Sequence, residues 1–127
     1  MSVPTDLRYT RDHEWVRLDG DDAVVGITQY AADQLGDIVF VELPDEGREL
    51  EQARPFGVVE SVKAVSDLFA PVSGEVVATN GALTGGPELV NTDPYGDGWM
   101  IKLRIADAGQ LDDLLDGDAY DALVSAG

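Results

Sequence analysis

Short apolar runs separated by turn-forming residues recur at fairly regular intervals along this chain, a rhythm that suits many short strands and leaves little room for long helices. Candidate strands are residues 13–18, 23–27, 38–43, 56–62, 67–70, 74–78 and 99–105, with Asp19-Gly20-Asp21-Asp22 turning the chain between the first two. The fold class is therefore mainly β, and seven short strands suit a barrel or a sandwich. A chain of 127 residues holds one core, so residues 1–127 are read as a single domain with a tail at 1–6 and a helical segment at 107–124.

Two helical signals interrupt the strands. Thr28 is a side-chain N-cap, residues 29–35 follow, and Gly36 stands where a left-handed residue ends a helix most easily. In the tail, Leu111, Leu114 and Leu115 recur at helical spacing after Asp107, and Tyr120, Leu123 and Val124 continue the stripe beyond Gly117, giving one or two short amphipathic helices. Residues 81–98 are rich in Gly, Pro, Asn, Asp and Thr and read as one long loop.

Charge narrows the partners. The 25 acidic residues outnumber the 8 basic ones for a formal net charge of -17, which repels a nucleic acid backbone. So dense a charge opposes compaction unless salt screens it, and a salt-loving host is the expectation; an ordinary acidic solubility surface is the alternative. Without cysteine there are no disulfides, thiolate metal sites or cysteine nucleophile, so any thiol chemistry arrives on a cofactor. The N-terminal residues carry neither a basic start nor an apolar run, and no stretch approaches the roughly 20 apolar residues of a membrane span. The expected location is the cytoplasm, with no membrane partner.

The most informative stretch runs from Gly57 through Val59-Glu60-Ser61-Val62-Lys63-Ala64-Val65-Ser66-Asp67 to Gly74. An apolar strand climbs to a lysine, a second descends, and Pro71 and Gly74 turn the chain. A lysine at a hairpin tip projects its flexible stem into solvent, where an enzyme can reach and acylate the amine. A mobile arm on a rigid root is the geometry of a swinging carrier. Glu60 and Asp67 flank the lysine at similar distances and place carboxylates near it. Lys102, the other lysine, alternates with Ile101 and Leu103 and belongs to the outward face of a strand.

The residues around Lys63 resemble those of the glycine cleavage H-protein family. Val59-Glu60-Ser61-Val62-Lys63-Ala64 with Ser66-Asp67 looks like that family's lipoylation segment. Further similar segments follow in family order: Tyr9-Thr10 with His13-Glu14-Trp15-Val16, Gly26-Ile27-Thr28, Leu35-Gly36-Asp37-Ile38-Val39-Phe40-Val41-Glu42-Leu43-Pro44, and Asn91 through Pro94-Tyr95 to Gly98-Trp99-Met100. The resemblance spans Leu7 to about Val124. It implies a flattened β-barrel, or barrel-sandwich hybrid of the lipoyl and biotinyl carrier type, with lipoate in amide linkage to Lys63 and Glu60, Ser61, Val62, Ala64 and Asp67 as the recognition hairpin.

It also implies a function without catalysis of its own. The lipoyl arm takes the aminomethyl group of glycine from a pyridoxal-phosphate glycine decarboxylase to a tetrahydrofolate-dependent aminomethyltransferase, and a dihydrolipoyl dehydrogenase reoxidises it. A lipoate-attaching enzyme completes the set of partners, and a carrier that enters several clefts is expected to be a monomer. Glu14, Asp67 and Gln34 are the candidates for lining a cleft that shelters the loaded arm; the family often has histidine where this chain has Gln34.

Two other functions fit the same lysine. One is a lipoyl relay or biotin carrier for another complex, although biotin carriers usually flank the lysine with methionines and Val62 and Ala64 stand here. The other is a protein-binding module whose Lys63 is never modified. His13 is the only histidine, so no two-histidine zinc motif exists and a structural or docking role is expected of it. The Asp-rich segments at 19–22 and 93–98 lack the spacing of a calcium loop, and Gly85-Gly86 lacks a phosphate-loop lysine.

Overall fold

The apolar runs become nine strands in a computed structural model of the chain, which describes Pro4 and residues 6–126. These are β1 (Arg8–Tyr9), β2 (Glu14–Asp19), β3 (Asp22–Ile27), β4 (Ile38–Glu42), β5 (Glu49–Leu50), β6 (Pro55–Ser61), β7 (Val65–Phe69), β8 (Gly74–Thr79) and β9 (Ile101–Ile105). All pair antiparallel, in a six-stranded sheet of order β1-β2-β3-β9-β8-β5 and a three-stranded sheet of order β4-β6-β7. The two sheets do not close into a barrel, so the flattened barrel of the sequence reading is realised as facing sheets with an open seam.

Alternation along the strands decides what fills the space between the sheets. Val16, Ala23, Val25, Ile27, Val59, Leu68, Val76, Ile101 and Leu103 are all buried there. Strand β3 is buried on both faces, because Val24 joins Trp15, Leu7, Tyr9 and Tyr120 in a second cluster on the far side of the large sheet. This explains why residues 23–27 read as an unbroken apolar run. Gly26 makes room for the indole: a Cβ there would lie 2.7 Å from the Trp15 ring. The Trp15 Nε1 donates to the Pro94 carbonyl at 3.0 Å, so the ring belongs to the core.

The first helix, α1 (Gln29–Leu35), has the limits its capping signals set. The Thr28 hydroxyl accepts from Ala31 N at 3.2 Å, and Gly36 ends the helix at φ 81°. Residues 81–98 are more ordered than a loop: α2 (Ala82–Gly85) and α3 (Leu89–Thr92) each make one turn and bury Leu83 and Val90. The tail signal splits into a 3₁₀ helix (Ala108–Asp113) and α4 (Gly117–Ala126). Strands β1 and β5 escaped the sequence pattern because two residues cannot show an alternation, and His13 falls outside β2 because its φ is 71°.

His13 instead joins a polar knot that fastens α4. Its Nδ1 lies 2.8 Å from the Tyr120 hydroxyl, which lies 2.8 Å from the Thr28 hydroxyl, and Tyr9 stacks on Tyr120 at 4.7 Å. Burial pushes the Tyr120 hydroxyl up to about 12 and the His13 imidazole down, so both remain neutral at neutral pH.

Among the described residues, three ion pairs form: Arg54–Glu51, Lys102–Asp19 and Arg104–Asp22. Set against 25 acidic residues, they leave a surface dominated by like-charge repulsion. Shortening the Debye length from about 10 Å at 0.1 M salt to about 3 Å at 1 M should therefore raise the melting temperature by several degrees. A midpoint unchanged over that range would show the acidic surface to be neutral for stability.

Candidate functional site

The tip that carries Lys63 is built by a serine. Ser61 N donates to the Ala64 carbonyl at 2.8 Å, and the Ser61 hydroxyl accepts from Ala64 N at 3.0 Å and from Lys63 N at 3.3 Å. Val62 and Lys63 thus occupy the bend between β6 and β7, and both side chains are exposed. A side-chain hydroxyl satisfying two amides of the turn is the usual role of serine in such places.

Beneath the tip lies a platform that the sequence reading did not pick out. Val62 N donates to the Asp37 carbonyl at 3.1 Å, tying the hairpin to the junction between α1 and β4. Asn91 holds that junction from below: its Oδ1 accepts from Ile38 N at 2.9 Å and its Nδ2 donates to the Gly36 carbonyl at 2.8 Å. The Lys63 stem runs across Gly36, with Cε 3.5 Å from where a Cβ would stand. Asn91 was visible in the sequence only as part of a similar segment, because a side chain bridging 53 and 55 positions of chain leaves no local periodicity.

A second feature lies in the open seam between the sheets. Glu14 begins β2 and is 1% exposed. The Thr10 hydroxyl donates to its Oε1 at 2.6 Å and Phe69 N donates to its Oε2 at 3.3 Å. Burial outweighs these two bonds and pushes the carboxyl up to about 8, so it holds a proton at neutral pH. It borders a cleft of about 320 Å³ lined also by Thr10, Asp12, Gln52, Phe69 and Leu115.

The expected site residues are distributed unevenly around these features. Glu60, Ser61, Val62, Ala64 and Asp67 all belong to the Lys63 hairpin. Asp67 is exposed on β7, two residues before Phe69 and on the same face, which brings it within about 7 Å along the strand of the backbone that holds Glu14. Gln34 is exposed on α1, two residues before Gly36, and among the described residues it makes no hydrogen bond to Glu14 or Asp67.

The chain matches known proteins over nearly its whole length. The family model described as "Glycine cleavage H-protein" matches residues 7–127. The chain belongs to the glycine cleavage H-protein family. A glycine cleavage system H protein of Symbiobacterium thermophilum is 57% identical over 126 residues, covering 99% of this chain and 98% of the relative. Another from Bacteroides fragilis is 58% identical over 126 residues, covering 99% and 100%. The crystal structure of a glycine cleavage system H protein from Mycobacterium marinum superposes with a TM-score of 0.90 at 40% identity, covering 97% of this chain and 99% of that one.

Membership in the H-protein family makes the chain a carrier subunit with covalently attached lipoate, not a catalyst. The residues present fit such a group: the hairpin exposes a primary amine on a mobile stem, and the turn beneath it is fixed by Ser61.

The buried carboxyl gives the site a measurable pH signature. Between its ordinary value of 4.5 and about 8, folded Glu14 keeps a proton that the unfolded chain has released, so its contribution to stability falls as pH rises through that window. Glu14→Gln has no such proton. Its stability relative to the parent, from urea unfolding, should grow between about pH 5 and about pH 8 and then level off. A gap constant with pH would mean that Glu14 is ionised in the fold throughout.

Proposed function

We propose that Lys63 is the residue that bears the lipoyl group and that the cleft beside Glu14 receives the far end of the arm between visits to partner enzymes. The observation that carries this reading is the exposed lysine at the tip of a hairpin whose root is fixed on two sides, by Ser61 within the turn and by the Asp37–Asn91 platform below it.

When bound, the group supplies a disulfide that takes up the aminomethyl group of glycine from glycine decarboxylase, yields it to a tetrahydrofolate-dependent aminomethyltransferase and is reoxidised by dihydrolipoyl dehydrogenase. The chain supplies position and shelter. A lipoyl-lysine of about eleven bonds extends to about 14 Å, the rise of four strand residues, so from Lys63 its far end passes over Asp67 and comes within about 7 Å of Phe69 along the strand. Phe69 and Leu115 give the cleft apolar walls, while Glu14, Asp12 and Asp113 give it acidic groups that outnumber its one basic residue, Arg11. A cation arriving beside Glu14 favours the carboxylate over the acid, so the side chain releases its proton as it pairs. Asp67, on the same face of β7 as Phe69, adds a fixed negative charge along the path from tip to cleft. The carrier works as a monomer in the cytoplasm on this reading, since each partner must enclose the hairpin in turn.

Intact mass and peptide mapping of protein from its native host should find a lipoyl amide on Lys63 and on no other residue. Bare Lys63 in lipoate-replete cells would leave only the binding-module reading, and biotin there would redirect the function to carboxylation. Lys63→Arg should abolish loading. Asn91→Ala should slow loading about tenfold to a hundredfold by loosening the root, with circular dichroism unchanged.

A further inference from the structure

Beside Glu60 and Asp67 of the hairpin, the outer face of the three-stranded sheet carries apolar side chains on β4 and β7 that the carrier reading leaves unused. Strand register aligns Phe40 on β4, Glu60 on β6 and Val65 on β7 in one row, and Glu42, Val58 and Asp67 in the next. The opposite face of the same strands holds Val59 and Leu68, both buried in the core. Phe40 is 50% exposed and Val65 65%; Val39, at the register shift between Ile38 and Phe40, is 52% exposed, and Val62 at the tip is 70%. Among the described residues Leu18, on β2, is the only other exposed large hydrophobic side chain.

A cluster of apolar side chains left in water beside one lysine marks an interaction surface. Its surroundings specify the partner's chemistry. Glu42, Glu60 and Asp67 share the face, and β4, β6 and β7 contain no basic residue. The complementary surface has an apolar recess for Phe40 and a rim of Arg or Lys.

We propose that this face is the docking surface for the enzyme that attaches the lipoyl group, with β4 as a recognition element in addition to the hairpin. The proposal rests on Lys63 being the attachment residue. Reach selects the occupant. An enzyme acting on the far end of a finished arm meets it about 14 Å from the backbone, whereas the attaching enzyme must bring its acyl donor to an unmodified lysine only about 6 Å long. Neighbouring strands lie about 4.8 Å apart, so an enzyme that close to Lys63 Nζ also covers the Phe40–Glu60–Val65 row. In the reaction itself, the amine of Lys63 attacks the acyl carbon of a lipoyl–nucleoside monophosphate anhydride. An amide C–N bond forms, the C–O bond breaks with its electron pair leaving on the nucleotide, two protons pass from the ammonium to solvent, and nothing is oxidised or reduced.

The test uses the full-length unlipoylated chain and the lipoate-attaching enzyme of its native host. In a Lys63→Arg background, which blocks turnover, Phe40→Ser should weaken binding by about tenfold or more in a calorimetric titration. With Lys63 present it should raise KM for loading by a similar factor while kcat changes less than twofold, read by mass spectrometry of the lipoylated product. Glu60→Lys should weaken binding and flatten its salt dependence. Leu18→Ser, an equally exposed change far from the hairpin, should leave both values unchanged. Melting curves for every variant separate lost docking from lost fold.

Folded Phe40→Ser and Glu60→Lys variants that bind and load like the parent overturn the proposal while leaving Lys63 as the attachment residue. Failure of the parent itself to be loaded at Lys63 overturns the carrier reading instead. Normal loading of Phe40→Ser combined with weakened binding of its lipoylated form to glycine decarboxylase would assign the face to that enzyme and likewise overturn the proposal.

Discussion

A mobile arm is useful only if its root stays still, and here the root is held by the burial of Val59 and Leu68 between the sheets. Full burial of a side chain of this size contributes on the order of 1.5–3 kcal/mol. Because strand side chains alternate, fixing Val59 inward fixes Glu60 and Val58 outward, and fixing Leu68 inward does the same for Asp67. A register slip of one residue would bury the acids and expose the core. The outward orientation of the hairpin's strand residues therefore follows from two apolar contacts on its hidden face, while Ser61 and the Asp37–Asn91 platform set the turn that carries Lys63.

Much of this was legible in the chain because the signals were local. The limits of α1 follow from Thr28 and Gly36, each of which meets a backbone requirement at one end of the helix. The seven strands of more than two residues fall within two residues of their apolar runs, and the lysine hairpin was placed by its apolar strands and the turn between them. What the sequence reading missed depends on distance along the chain. Asn91 reaches more than fifty positions back to the α1–β4 junction, and β1 and β5 exist only because neighbouring strands offer them partners. Glu14 was expected near the arm, but its burial was not, since the strand that covers it, β7, lies more than fifty positions away.

The two polar assemblies in the body differ in how completely they are satisfied. The His13–Tyr120–Thr28 knot joins the start of β2, the start of α1 and the C-terminal helix through short hydrogen bonds between neutral groups. It closes one side of the molecule. The Glu14 site is buried as deeply, yet it opens onto a cleft, and among the described residues no ion pair to its carboxyl forms although Arg11 lines the same cleft. The first arrangement holds chain segments together; the second leaves a protonated acid open to a partner from outside.

The contact between Glu14 and Phe69 has a further consequence for assembly. Strand β7 lies at the free edge of its sheet, where unpaired backbone amides invite another chain to add a strand. The Glu14 carboxyl takes up the amide of Phe69, while Asp67 lies charged in the middle of the same strand. A copy of the chain approaching this edge meets a donor already engaged and a negative charge against its own. The side chain that faces the cleft thus also occupies a donor at the open edge of the sheet.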